Sequence, residues 1–288
     1  YENGSPTSGA SVSTTDSGLT NGTTYYYAVF ARDATDWNES VTAGSNADTG
    51  TPSDGGSEGL AGYWQMNEGS GVVAHDSSGD GNNGTISGAS WAGGSPDGTT
   101  CLSFDGGDDG VDVPHSGSVN ITGDLTIEAW VRLEAGYIDT GFIVGKSGDG
   151  EQQYGLSIRP DRTICIHTWN APNSLRSVSA LETERWYHVT GVVEGGTARI
   201  YIDGVLDAEG AVGAISSSEC DLYIGAKGDG AGITAVFKGD IDEVRITARA
   251  LSSGEFNTLP IGGGPTPPAQ VSDFAASDGE AGQSTPTW

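Results

Sequence analysis

Glycine sets the limits on this chain. It supplies 47 of 288 residues, more than twice its usual share of roughly 7%. Each glycine inside a helix costs about 1 kcal/mol relative to alanine, so a helical bundle is excluded. Between the glycines, apolar and polar residues alternate with period two, as in LTIEAWVR (125–132), YHVTGVVE (187–194) and ARIYI (198–202). That period sends successive side chains to opposite faces of an extended strand. The pattern predicts strands at Gly62–Met66, Cys101–Phe104, Gly110–Val113, Leu125–Leu133, Gly141–Lys146 and Tyr154–Ile158. It predicts others at Thr163–Trp169, Arg176–Ala180, Tyr187–Glu194, Ala198–Ile202, Asp221–Ala226 and Ile241–Ala248. So many strands with almost no helical pattern imply two antiparallel sheets packed face to face, an all-β sandwich. Asp203-Gly204 is a two-residue hairpin signal, and Ser252 is suited to cap one helical turn over Ser252–Phe256. Seven Trp, ten Tyr and six Phe supply a core, which excludes disorder for the middle of the chain.

Charge narrows the partners. With 39 acidic and 12 basic residues the net charge is -27, which excludes sequence-blind attraction to nucleic acid or anionic membranes. No apolar run approaches the ~18 residues of a membrane span, and no signal peptide opens the sequence. The first residues read as the inside of a domain, so an excerpt of a longer polypeptide is expected. Acidic, lysine-poor surfaces stay soluble in salt and attract divalent cations, as expected of a secreted or surface protein. Sequons at Asn3, Asn21, Asn38, Asn83 and Asn120 permit an extracellular location. Cys101, Cys165 and Cys220 show no metal-ligand spacing. They leave two readings open: three small buried apolar residues, or one disulfide with a spare thiol.

Composition divides the chain into residues 1–52, a linker at 53–58, a strand-rich zone at 59–259, a second linker at 260–268 (containing GGGPTPP) and a tail at 269–288. Within the central zone stand GLAGYWQMNEGSG (59–71), DSSGDGNNGT (76–85), CLSFDGGDDGVDVP (101–114), LTIEAWVR (125–132), RWYHVTGVV (185–193), ARIYIDGVL (198–206) and GDIDEVRITARALS (239–252). In this order they resemble the laminin-G-like, concanavalin-A-like jelly-roll modules of secreted proteins. The resemblance covers about two thirds of the chain and implies a β-sandwich of lectin type.

The ends resemble another module. DSGLTNGTTYYYAVFARDATDWNES (16–40) is similar to the later strands of a fibronectin type III domain, with Tyr25 and Tyr27 as alternating core aromatics. PAQVSDFAASDGEAGQSTPTW (268–288) is similar to the first two strands of the same immunoglobulin-like fold. Neither end alone can bury two faces of a sandwich. A tail could complete the head of a neighbouring copy, and such head-to-tail donation, if it does not close, yields a filament. The alternative is a tandem array in which covalent neighbours supply the missing strands.

The loop Asp76–Thr85 offers carboxylate, amide and backbone oxygens on a sharply turning chain, which suits Ca²⁺. It lacks the EF-hand glutamate, and Asp/Asn turn chemistry without metal is the alternative. Modules of the resembled type often hold a structural Ca²⁺ between this loop and the last long strand. Carried onto this chain, that implies Glu68, Asp76, Asn82 and Asp242, with Asp80 standing where the family usually has Asn. Asp105–Asp112 reads as an acidic hairpin loop.

Trp64, Trp130 and Trp186 alternate with polar neighbours and read as core, as does His188. Trp169, in IHTWNAPN (166–173), ends a strand and enters a polar loop. An exposed ring beside amides is how sugar faces are held, so Trp169 is a candidate platform with His167 and Asn170 as polar partners. Tyr137, in EAGYIDTG (134–141), is a second candidate. No catalytic set is expected: the E-x-D-x-x-E strand of related hydrolases is missing, and no nucleophile elbow, P-loop or H-E-x-x-H occurs. The sequence therefore points to a non-catalytic extracellular module that binds a glycan or matrix ligand. The alternative is a structural subunit that assembles with copies of itself.

Overall fold

In the computed structural model, residues 59–148 and 150–257 are described in full, together with the backbone of 25–28 and 47–50. The chain divides into two units. One, Gly56–Pro265, holds the strand-rich zone. The other comprises the two ends, and its described part is one antiparallel pair, β1 (Tyr25–Ala28) with β2 (Ala47–Gly50). The fibronectin-like readings of the ends, including packing of Tyr25 and Tyr27, otherwise lie outside the described residues.

The larger unit runs through β3 (Leu60–Trp64), β4 (Val73–Ala74), β5 (Gly84–Ser87), β6 (Ser90–Gly93), β7 (Thr100–Asp105) and β8 (Gly110–Val113). It continues through β9 (Leu125–Leu133), β10 (Gly141–Gly148), β11 (Glu151–Ile158), β12 (Thr163–His167), β13 (Ser174–Ala180) and β14 (Trp186–Glu194). The last are β15 (Thr197–Ile202), β16 (Val205–Ala211), β17 (Leu222–Ile224), β18 (Lys227–Gly228), β19 (Ile233–Thr234) and β20 (Lys238–Thr247). One eight-stranded sheet has the order β13-β12-β11-β10-β17-β8-β5-β4. The other runs β16-β15-β14-β9-β20-β7-β6, with β3 also paired to β20. Every ladder between these strands is antiparallel, for example Trp130 opposite His188 and Ile127 opposite Gly191.

Alternation explains the core. Leu125, Ile127, Ala129, Val131 and Leu133 of β9 join one cluster with Val189 and Val193 of β14. Leu156, Ile158, Ile164 and Ile166 complete it from the opposite sheet. Just past β17 there is no room for a side chain against the ring of Phe104 on β7. A Cβ on Gly225 would lie 2.1 Å from the Phe104 ring.

The structure departs from the expected elements in four places. β4, β5, β6, β18 and β19 are additional strands, each of four residues or fewer, too short to leave a clear periodic pattern. The acidic turn after β7 is not a hairpin: β7 and β8 belong to different sheets, so Gly106-Gly107 carries the chain across the sandwich. Ser252–Phe256 forms a turn rather than a helix, closed by Glu255 accepting from the backbone N and Oγ of Ser252. Trp186 is only half-buried, its indole donating to Gly94 O. The cysteines are all unpaired, which answers the disulfide question among the described residues. The Asp203-Gly204 hairpin forms as expected, both residues at positive φ.

The outer face of the second sheet is covered in part by the segment after β20. Leu251 and Phe256 pack on Val192, and Asn257 N donates to Glu128 Oε1 at 2.8 Å. Glu128 and His188 are thereby buried side by side, Oε1 to Nε2 at 3.5 Å. Burial pushes the Glu128 carboxyl up to about 7 and holds the His188 imidazole down at about 3. Glu128 thus keeps in the native state a proton that the unfolded chain releases above pH ~4.5, so its contribution to stability falls as pH rises to 7. Glu128→Gln is expected to gain on the native protein across that window, by about 3 kcal/mol above pH 7. Urea titrations at pH 4.5 and 8 check this; a pH-independent difference refutes it.

Candidate functional site

The loop expected to hold calcium is closed on itself. Asp76 Oδ1 accepts from the backbone N of Tyr63 (2.9 Å) and of Ser78 (2.8 Å), and Oδ2 from Asn82 N and Ser78 Oγ (both 2.8 Å). Asn82 donates through Nδ2 to Ala61 O and Ser118 Oγ and accepts through Oδ1 from Ser116 Oγ. Its carbonyl accepts from the indole of Trp64 at 2.8 Å. Asp76 and Asn82 therefore satisfy backbone and hydroxyl donors and do not assemble with the other two as a ligand set. Glu68 spends Oε1 on His75 N and keeps a buried, unpartnered Oε2.

Asp242 differs. It is fully buried on β20 and both carboxylate oxygens lack a hydrogen-bond partner. Burial, with the nearby charges of Glu243 and Asp97, pushes its carboxyl up to about 9. A buried, unpaired acid of this kind is costly unless a cation compensates it. Among the described residues no three His, Cys, Asp or Glu side chains stand together as a metal set. Any ion at Asp242 would draw its remaining ligands from carbonyl or amide oxygens, which Ca²⁺ accepts.

On the outer face of the first sheet three aromatic rings form a stack. Phe142 of β10, His167 at the end of β12 and Trp169 just beyond it lie nearly parallel. Trp169 is 5.1 Å from His167 at 21° and 6.1 Å from Phe142 at 11°. The stack depends on Gly155 of β11, where a Cβ would lie 3.0 Å from both the Trp169 and Phe142 rings. Trp169 itself sits at φ 57°, a left-handed conformation unusual for a bulky residue. Its N–H and that of Thr168 both donate to Asn173 O. Asn170 belongs to the scaffold of this loop rather than to the cleft: its Nδ2 donates to Ala214 O and Ser216 Oγ.

The rings line a concavity of about 470 Å³ whose rim carries Arg159, Arg176 and Lys227, a volume within the range of small-ligand sites. His167 is anchored by Ser157 Oγ to Nε2 at 2.9 Å. Burial, then the charges of Arg159 and Lys227, depress its pKa to about 4, so it is neutral at physiological pH. Of the expected ligand residues, Trp169 and His167 thus meet, and Phe142, Arg159 and Lys227 join them from strands distant in sequence. Tyr137 does not. It is 4% exposed, tilted against Phe237 at 5.9 Å, and belongs to the core.

A second concavity, of about 290 Å³, contains Glu134, Glu184 and Asp240. Each carboxylate is engaged: Asp240 accepts from Arg132 Nε at 2.7 Å, Glu134 faces Lys238 Nζ at 3.4 Å, and Glu184 accepts from Ala135 N.

The family description "concanavalin A-like lectin/glucanases superfamily" matches residues 105–256, from the sheet-crossing turn to the segment that covers Glu128. The chain belongs to this superfamily. Solved structures share its fold at low identity. Domain 4 of AbnA, a GH43 extracellular arabinanase from Geobacillus stearothermophilus solved with arabinotriose, matches with TM-score 0.54 and 20% identity over 68% of this chain and 95% of that one. The binding domain of Paraclostridial Mosquitocidal Protein 1 matches with TM-score 0.55 and 16% identity, covering 68% and 50%. Trypanosoma rangeli sialidase in complex with sialic acid matches with TM-score 0.51 and 20% identity, covering 70% of this chain and 32% of that one. This chain thus corresponds to half or less of the last two. No match was found among curated protein sequences. Within the superfamily fold, the cleft at Trp169 lies on the outer face of the sheet that carries β10 to β13. No helix among the described residues is long and apolar enough to cross a membrane.

Proposed function

We propose that residues 59–259 form a non-catalytic carbohydrate-binding module of a secreted or cell-surface protein, with the Phe142–His167–Trp169 cleft as its ligand site. The aromatic stack carries the reading. The partly exposed rings of Trp169 and His167, backed by the buried Phe142, suit the apolar face of a sugar, with hydrogen bonds available at the edge. The sugar bound to domain 4 of the arabinanase, a protein of similar fold, lends support. The carboxylates of the smaller concavity are all paired, which favours binding over hydrolysis. Trp169→Ala is expected to weaken the best hit of a glycan array by about thirtyfold, ~2 kcal/mol, as for a central aromatic anchor. An array on which the native protein and the variant bind alike overturns the assignment.

Within the same reading, Asp242 is a ligand of a structural Ca²⁺, in a setting that also feels the charge of Asp97. The orphaned oxygens of Asp242 support this, whereas the side-chain oxygens of Asp76 and Asn82 already accept hydrogen bonds and add no such support.

A further inference from the structure

We infer that the cleft selects acidic sugars, those bearing a carboxylate or sulfate, over neutral ones. The inference rests on the cleft being a carbohydrate site and concerns only which class of sugar it takes.

The distribution of charge carries it. The chain has 39 acidic residues and 12 basic ones. The eleven residues lining the cleft reverse this ratio, with three cations, Arg159, Arg176 and Lys227, and no Asp or Glu. Arg176 is held by Asp161, which accepts from its Nη2, and by Thr163 Oγ1. Arg159 and Lys227 have no carboxylate partner among the described residues. Arg159 Nε is buried without a hydrogen-bond acceptor. Lys227 Nζ lies over the Phe142 ring, 5.6 Å from its centre.

In so acidic a protein, two cations with no carboxylate partner among the described residues make this cleft a local patch of positive charge that favours an anion. The half-buried guanidinium of Arg159 and the ammonium of Lys227 present two positive charges to a carboxylate or sulfate in the cleft. A ring stacked on Trp169 would place its acidic substituent toward the rim that Arg159 and Lys227 occupy. His167, neutral and tied to Ser157, contributes surface rather than charge. Elsewhere the acidic surface repels polyanions, so retention would be confined to this cleft.

Calorimetric titration of the full 288-residue chain tests this with matched probes: oligogalacturonides against neutral galacto-oligosaccharides, and dextran sulfate against dextran oligomers of equal length. At low salt, at least one acidic probe should bind tenfold or more tightly than its neutral counterpart, and that preference should shrink as ionic strength rises. Which pair shows it distinguishes carboxylate from sulfate. In Arg159→Gln/Lys227→Met the preference should collapse to within about threefold, whereas Arg199→Gln, on the other sheet, should leave it intact. Neutral probes bound as well as acidic ones, or a preference that survives the double variant, overturn the inference and leave the sugar-binding reading standing. Failure of Trp169→Ala to weaken any probe overturns both. Unchanged melting temperatures of the variants establish that folding is not the cause.

Discussion

Trp64→Ala is expected to destabilise the larger unit by about 3–5 kcal/mol, the cost of removing a fully buried large aromatic side chain. Three features put the effect at the top of that range. Trp64 is among the largest fully buried side chains. Its six-membered ring lies where a Cβ on Gly62 would otherwise sit, with Cη2 at 2.3 Å from that position, so no neighbour can relax into the void. Its indole N–H also donates to Asn82 O, and losing it leaves a buried carbonyl without a partner. Asn82 ties the Asp76 loop to Ala61 and Ser118, so the damage should spread. Chemical denaturation should give a lower midpoint, and hydrogen exchange should show early opening at 76–84. A change below 1 kcal/mol, with normal protection of the loop, contradicts this view of the N-terminal corner.

The second large effect concerns Asp242 and is a crossover. With chelator present, Asp242→Asn should be at least as stable as the native protein, because a neutral amide escapes the penalty of an unpaired buried carboxylate. In excess Ca²⁺ the order should reverse. Metal bound only to the folded state adds about 4 kcal/mol at a thousandfold excess over Kd, and the variant should gain nothing. Thermal melts of both proteins in EGTA and in millimolar CaCl₂ decide it. Equal calcium responses, or none in the native protein, remove Asp242 from the metal assignment.

Much of the sandwich is legible in the sequence because burial on one face imposes a period of two. β9 and β14 carry that period over nine residues each and fall where the alternation puts them, whereas in β20 an irregularity at Asp242–Glu243 shifts the core positions from Ile241 to Val244 and Ile246. β6 is harder to see because none of its four residues is buried to the same degree, so packing leaves little imprint on its composition. The sheet-crossing path at Gly106-Gly107 is invisible for another reason: an acidic Gly-Gly turn suits a hairpin and a crossover alike.

The same logic separates what could be foreseen in the cleft from what could not. Trp169 and His167 are two residues apart in IHTWNAPN, so one strand end announces them together. Phe142, Arg159 and Lys227 reach them only through the β10–β11–β12 ladders and the turn after β17, and no local spacing encodes that meeting. Tyr137 sits in a polar loop by sequence, yet its ring turns inward to Phe237. Asp76 and Asn82 have the oxygens a cation wants, but backbone donors engage the first and the Ser116 hydroxyl the second.

The left-handed backbone at Trp169 has a kinetic consequence. Asn173 O accepts from the N–H groups of both Thr168 and Trp169, and the close approach of Gly213 to Asn170 leaves that loop no room to swing. The indole is thus set in its docking pose before any guest arrives. Capture should then proceed without a slow rearrangement step, and relaxation of the bound complex should follow a single exponential whose rate rises linearly with guest concentration.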